Sequence, residues 1–211
     1  MRQWGENLNA TIASIKGFIK NNLIDADLAK KIIDGITKNI KEIGKLESSD
    51  QIYRVTSIDG GSGAKYEEKT GKVLIEVSKE ANVSLVGHEL KHGYQYETGE
   101  ISLKVDNLDY GVLYDIGDET QANNVEMMIS GGKKYYEDRK NMEWTNKQTL
   151  NKGKAMTPPA YQGLPNGPIN INSKEGKALR QRTVEAGKAG RAVTEVYYGW
   201  QTDYSKGVNS K

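Results

Sequence analysis

The chain has 211 residues, 30 basic against 28 acidic side chains for a net charge of +2, 36% hydrophobic residues and no cysteine. That length fits one globular domain, and the low apolar content calls for a modest core with long polar loops. The balanced charge gives no reason to expect nucleic acid as a partner; no apolar run reaches the length of a membrane span or a signal-peptide core; and without cysteine, disulfides and thiolate metal sites are excluded.

Asn7 to about Leu46 reads as two helices. Ile12, Ile15 and Ile19 recur at helical spacing, and Asp25 or Asp27 can cap a second helix carrying Leu28, Ile32, Ile36, Ile40 and Ile43. From Gln51 to Ser78 the period falls to two, with Ile52, Val55 and Ile58 punctuated by the Gly60-Gly61-Ser62-Gly63 turn. Tyr66 to Glu68 and Lys72 to Val77 then flank Thr70-Gly71 as a β-hairpin. The glycine cluster lacks Walker spacing, since Gly71-Lys72 is followed by Val73, and it reads as a turn.

A helix follows from about Asn82 to Glu97, ended by Thr98-Gly99. Val86, Leu90 and Tyr94 form one stripe on it, and Leu85, His88, Glu89, His92 and Tyr96 form the other. After a loop through Asp106 to Tyr110, a helix runs from about Asp115 to Ser130 and stops at Gly131-Gly132, and a charged helix is expected from Lys134 to Gln148. Pro158, Pro159, Pro165 and Pro168 mark Lys152 to Ser173 as irregular, and Val193 to Trp200 alternates enough to be a strand. The basic residues of Lys174 to Arg191 read as a solvated face, and Trp4, Trp144 and Trp200 as packing anchors. The fold class is α+β: a helical pair over 1–50, a core over 51–132 with a small antiparallel or mixed sheet on the His88 helix, and 133–211 completing a single domain.

His88-Glu89-Leu90-Lys91-His92 contains both histidines of the chain. A spacing of four on a helix stacks two imidazoles on one face, where they can hold one metal ion, and the glutamate between them stands where a general base is needed. This H-E-x-x-H pattern marks zinc hydrolases. A catalytic zinc takes three protein ligands and keeps one position open. With no third histidine and no cysteine, the third ligand must be acidic, and Asp115, Asp118, Glu119 and Glu126 on the next helix are the candidates.

Gly87 to Gly99 and Leu113 to Glu119, within a stretch from Ile52 to Ile129, resemble the zincin-like metallopeptidase domains at the C-termini of Rhs-type and other polymorphic toxins, notably in Bacteroidetes. More distantly they resemble some injected bacterial effector proteases. That family carries H-E-x-x-H-A-Y-Q followed by an acidic D-E-x-x-A segment. Gly93 stands here in place of the usual alanine, and Ala122 keeps the small residue after Glu119. The resemblance implies a gluzincin-type fold, one zinc ion held by His88, His92 and Glu119, and Glu89 as the general base.

It also implies a toxin or effector protease that cleaves proteins in a target cell, delivered on a larger chain or by a secretion system and neutralised by a cognate immunity protein. A metal-dependent amidase acting on cell-wall peptide, or an inactive zincin fold serving as a binding module, are the competing readings. Gln95 is either a support for the site or simply exposed. A tyrosine is the expected donor to the substrate oxyanion, with Tyr161, Tyr197 and Tyr198 as candidates, while Tyr94 lies on the other helix face and belongs to the core. The hairpin ahead of the helix could take a peptide as an added strand.

Overall fold

The computed structural model describes residues 2–21, 24–67, 70–98, 100–101, 104–105, 114–130, 145–155, 161, 164 and 174. In chain order these form α1 (Arg2–Lys20), α2 (Ala26–Glu47), β1 (Tyr53–Ile58), β2 (Gly63–Glu67), β3 (Lys72–Ser78), α3 (Val83–Glu97), β4 (Lys104–Val105), α4 (Ile116–Ile129) and α5 (Asn146–Lys154). The class is α+β: five described helices and a small mixed sheet. No described helix is long and apolar enough to cross a membrane.

The helical pair forms as its periodicity dictates. Asp25 caps α2, its carboxylate accepting from the Leu28 amide at 2.9 Å, and Asp27 sits in the first turn, where the helix dipole favours a negative charge. Ala29, Ile32, Ile36, Ile43 and Leu46 bury one face of α2, and Leu8 and Ile15 do the same for α1. All of them join one core with the sheet and α3.

The sheet runs in the order β1-β3-β2-β4, with β1 parallel to β3 and β2 antiparallel to it. Gly71, at φ +64°, supplies the left-handed residue that the β2–β3 hairpin needs. Val73, Ile75 and Val77 alternate along β3 and turn onto α3 and the core. Two apolar residues at β1 stay largely uncovered. Val55 pairs with Ile75 and so shares the covered face, but on this edge strand it stays 40% exposed; Ile52 precedes the strand and is 57% exposed. Tyr53, in register with Val73, is the buried residue.

Asn82 caps α3 by accepting from the Leu85 amide at 3.0 Å. The two-stripe reading of this helix understates its burial: every residue from Gly87 to Gly93 is buried, as are Gln95 and Tyr96. α3 lies among the sheet, α2 and α4. Gly93 sits where space is short, because a Cβ there would meet Ile75 Cδ1 at 3.1 Å, tighter than ordinary contact, and Leu46 Cδ1 at 3.5 Å.

The charged helix expected from Lys134 to Gln148 is corrected at its end. Thr145 and Gln148 form a capping box, so α5 starts at Asn146 and runs to Lys154, into the stretch expected to be irregular. Residues 131–144 lie outside the described set, as do the expected strand Val193 to Trp200 and most of the proline-rich segment.

Lys91, on the metal-motif helix, is buried against Glu42 of α2 at 2.9 Å, and each is 5% exposed. Lys91→Met or Glu42→Gln alone leaves a charge buried without its partner, and each is expected to lower the unfolding free energy by about 3–5 kcal/mol. The Lys91→Met/Glu42→Met pair should cost far less. Urea denaturation followed by tryptophan fluorescence measures this, and a double variant as unstable as the worse single one would refute it.

Candidate metal centre

His88 and His92 lie one turn apart in the buried middle of α3, and Glu119 enters from the first turn of α4. Two acids ahead of Glu119 fix how α4 begins. Asp115 accepts from the Gly117 and Asp118 amides at 2.6 and 3.3 Å, and Asp118 accepts from the Asp115 amide at 2.8 Å. Both carboxylates are therefore committed to the helix cap.

Three side chains then converge. The two histidine Nε2 atoms are 3.2 Å apart, His88 Nε2 is 3.4 Å from Glu119 Oε2, and His92 Nε2 is 3.3 Å from Glu119 Oε1. His88, His92 and Glu119 are 5%, 6% and 4% exposed. A tetrahedral zinc with ligand bonds of about 2.0–2.1 Å places its ligand atoms about 3.3–3.4 Å apart. The observed spacings lie near that figure, with Glu119 meeting His88 through Oε2 and His92 through Oε1.

The outer atoms of these side chains are held as well. His92 Nδ1 faces Gln95 Oε1 at 2.8 Å, and Gln95 Nε2 donates to the Asp118 carbonyl at 3.1 Å, which fixes the orientation of the amide. The proton of His92 therefore sits on Nδ1, and Nε2 presents a lone pair to the cluster. His88 Nδ1 lies 3.2 Å from Glu126 Oε2, which stands off the line of the ring N–H and makes an ion-pair contact rather than an aligned hydrogen bond. The Tyr114 hydroxyl donates to Glu119 Oε1, and its ring meets His92 edge-on at 5.7 Å. Glu119 Oε2 is buried and has no hydrogen-bond partner among the described residues. These polar atoms converge on one buried point. The group His88, His92 and Glu119 could bind a metal ion.

The electrostatics agree. Burial works against a charge on His88, but the Glu119 and Glu126 carboxylates outweigh it and raise the imidazole to about 10. His92 is likewise raised, with Glu119 overcoming burial. Burial would push Glu119 up, yet His92 and His88 hold it far below the usual carboxylate range. Glu126 is held at about 2 by His88 and, against its own burial, by Lys152. Glu89 is raised by burial, with the two histidines opposing. If no metal is bound, protons take the cation's place.

The structure thus brings His88, Glu89, His92 and Glu119 together and sorts the acids that the sequence left open. Asp115 and Asp118 are caps, and Glu126 backs His88 from outside. Gln95, fully buried, supports His92. Tyr161 is at the site: burial and the adjacent Glu119 carboxylate push its phenol up. Tyr94 lies away from the cluster, its ring under the Lys91 and Lys45 ammonium groups. Tyr197, Tyr198, Trp144 and Trp200 fall outside the described residues. Sequence reasoning missed Tyr114 and Lys152, and only Tyr114's place five residues before Glu119 offered a hint. No protein-family model matches this chain, and no curated protein or solved structure matches it either.

Metal analysis by mass spectrometry is expected to find one ion per chain in the wild type and none in His88→Ala, His92→Ala or Glu119→Gln. Glu126→Gln should keep the ion with affinity lowered about 10–100-fold, the range for losing an outer-shell partner. A second expectation concerns pH. The raised His88 stabilises the metal-free fold fully below pH 6.5, and that contribution is lost as pH rises through about 10. The melting temperature of chelator-treated protein should fall across that window and that of metal-loaded protein should hold, so parallel curves would contradict the assignment.

Proposed function

We propose that this protein is a zinc metallopeptidase of the zincin type, with His88, His92 and Glu119 as zinc ligands and Glu89 as general base. The observation that carries this reading is the convergence of the buried His88, His92 and Glu119 side chains, with Glu89 between the two histidines on the same buried helix. Two imidazoles and one carboxylate are a donor set that suits zinc and leaves one position for water.

When bound, zinc would acidify a water molecule and polarise the peptide carbonyl. Glu89 takes the proton from the attacking water and returns it to the leaving amine. Its burial supports that role, because it raises the carboxyl from its ordinary value toward the range where a general base works. Tyr161 donates to the carbonyl oxygen as that atom gains charge. Its backbone is left-handed, at φ +64°, a strained state for a tyrosine and one that concentrates at functional sites.

The substrate is a protein or peptide, laid as an extended strand beside the sheet. The resemblance to Rhs-type toxin domains supports delivery into a target cell and a cognate immunity protein as the natural inhibitor. A metal-dependent amidase would use the same groups on cell-wall peptide.

Metal-loaded wild type and Glu89→Gln should be incubated with unfolded casein, a peptide library and cell-wall muropeptides, with products read by mass spectrometry. Wild type is expected to cleave protein, and Glu89→Gln to keep its zinc while losing activity about 10²–10⁴-fold, the usual span for a general acid–base group. Undiminished cleavage by Glu89→Gln would sink the mechanism. Cleavage of muropeptides alone would select the amidase, and bound zinc with no cleavage of any substrate would select the binding module.

A further inference from the structure

α5 approaches the metal centre without supplying a ligand. It is seated on α4 by a buried polar cluster: Thr149, fully buried, pairs with Thr120 at 2.9 Å, and Asn146 Oδ1 accepts from the same Thr120 hydroxyl at 2.8 Å. From that seat Lys152 reaches back along α4 and makes two contacts. Its ammonium donates to Glu126 Oε2 at 3.0 Å and to Asn123 Oδ1 at 2.8 Å. Each of those partners stands behind a ligand. Glu126 Oε2 is the oxygen that lies 3.2 Å from His88 Nδ1, and Asn123 Nδ2 donates to the backbone carbonyl of Glu119 at 2.8 Å.

We propose that Lys152 is a positioning residue for the metal centre, holding Glu126 against His88 so that the imidazole keeps its Nε2 turned to the ion. The proposal rests on His88, His92 and Glu119 being metal ligands. The reasoning is geometric. Glu126 makes no aligned hydrogen bond with the ring N–H of His88, so nothing in that contact alone fixes where its carboxylate sits. A second anchor is needed, and the Lys152 ammonium supplies it on the same oxygen. Lys152 is 39% exposed, and ion pairs that exposed contribute little to stability. Its effect should therefore appear at the metal rather than in the fold.

The test uses the full chain and the zinc ion itself, titrated in competition with a chromophoric chelator. The proteins are wild type, Lys152→Met, Lys152→Gln, Lys152→Arg, Glu126→Gln and the Lys152→Met/Glu126→Gln double variant, with thermal melting of each in chelator as the control for folding. Lys152→Met and Lys152→Gln are expected to weaken zinc binding by at least about threefold, the lower end of coupling between contacting residues, with melting unchanged. Lys152→Arg should restore most of the loss. The double variant should bind no more weakly than Glu126→Gln alone, because Lys152 acts through that carboxylate. Unchanged affinity in both Lys152→Met and Lys152→Gln, or losses that simply add in the double variant, would overturn the proposal. A wild type that binds no zinc would overturn the metal reading itself, a result distinct from either of these.

Discussion

Two imidazoles and a carboxylate are buried around one point, and among the described residues Glu119 Oε2 has no hydrogen-bond partner. The two imidazole Nε2 atoms lie 3.2 Å apart and the two Glu119 oxygens meet them at 3.3 and 3.4 Å, a buried arrangement that positive charge among them favours. The rest of the described structure answers to that constraint. α3 is buried on nearly all its faces because it must carry two of the groups inward, and α4 begins with a reciprocal Asp115–Asp118 cap that sets the third at its first turn. Gln95, Glu126 and Tyr114 fix the outer atoms of the same side chains.

The other side of α3 carries its own solution to a buried charge. Lys91 lies between the two histidines in sequence but turns toward α2, where Glu42 neutralises it and the Tyr94 ring lies 4.9 Å from its ammonium. The helix thus has a polar cluster on each side, separated by a backbone that packs tightly enough at Gly93 to exclude a methyl group without movement of Ile75. Core packing and site geometry share one element, so a shift that relieved the core would be felt at the ligands.

What the sequence made legible was local. His88, Glu89 and His92 share one helix, and their spacing alone placed them on a common face. Asp25 as one of two candidate caps, the start of α3 near Asn82 and the hairpin at Thr70-Gly71 were readable for the same reason, because the partners lie within a few residues. From the residues alone Glu119 was one of four acids, singled out by the resemblance, and tertiary structure was needed to show that two of the others cap a helix and the third faces the far nitrogen of His88. Lys152 and the Lys91–Glu42 pair could not be read at all, since their partners are 26 and 49 residues away.

This chain has no cysteine, and so no covalent bond can tie one part of it to another. An ion shared by His92 and Glu119 would close a loop of 27 residues, the difference of their positions. In a chain-entropy treatment, a permanent cross-link over that span removes about 3–4 kcal/mol of freedom from the unfolded chain. The coordination sphere would then serve as this protein's removable staple. Where such an ion is scarce, the chain would lose that brace and become looser and easier to proteolyse.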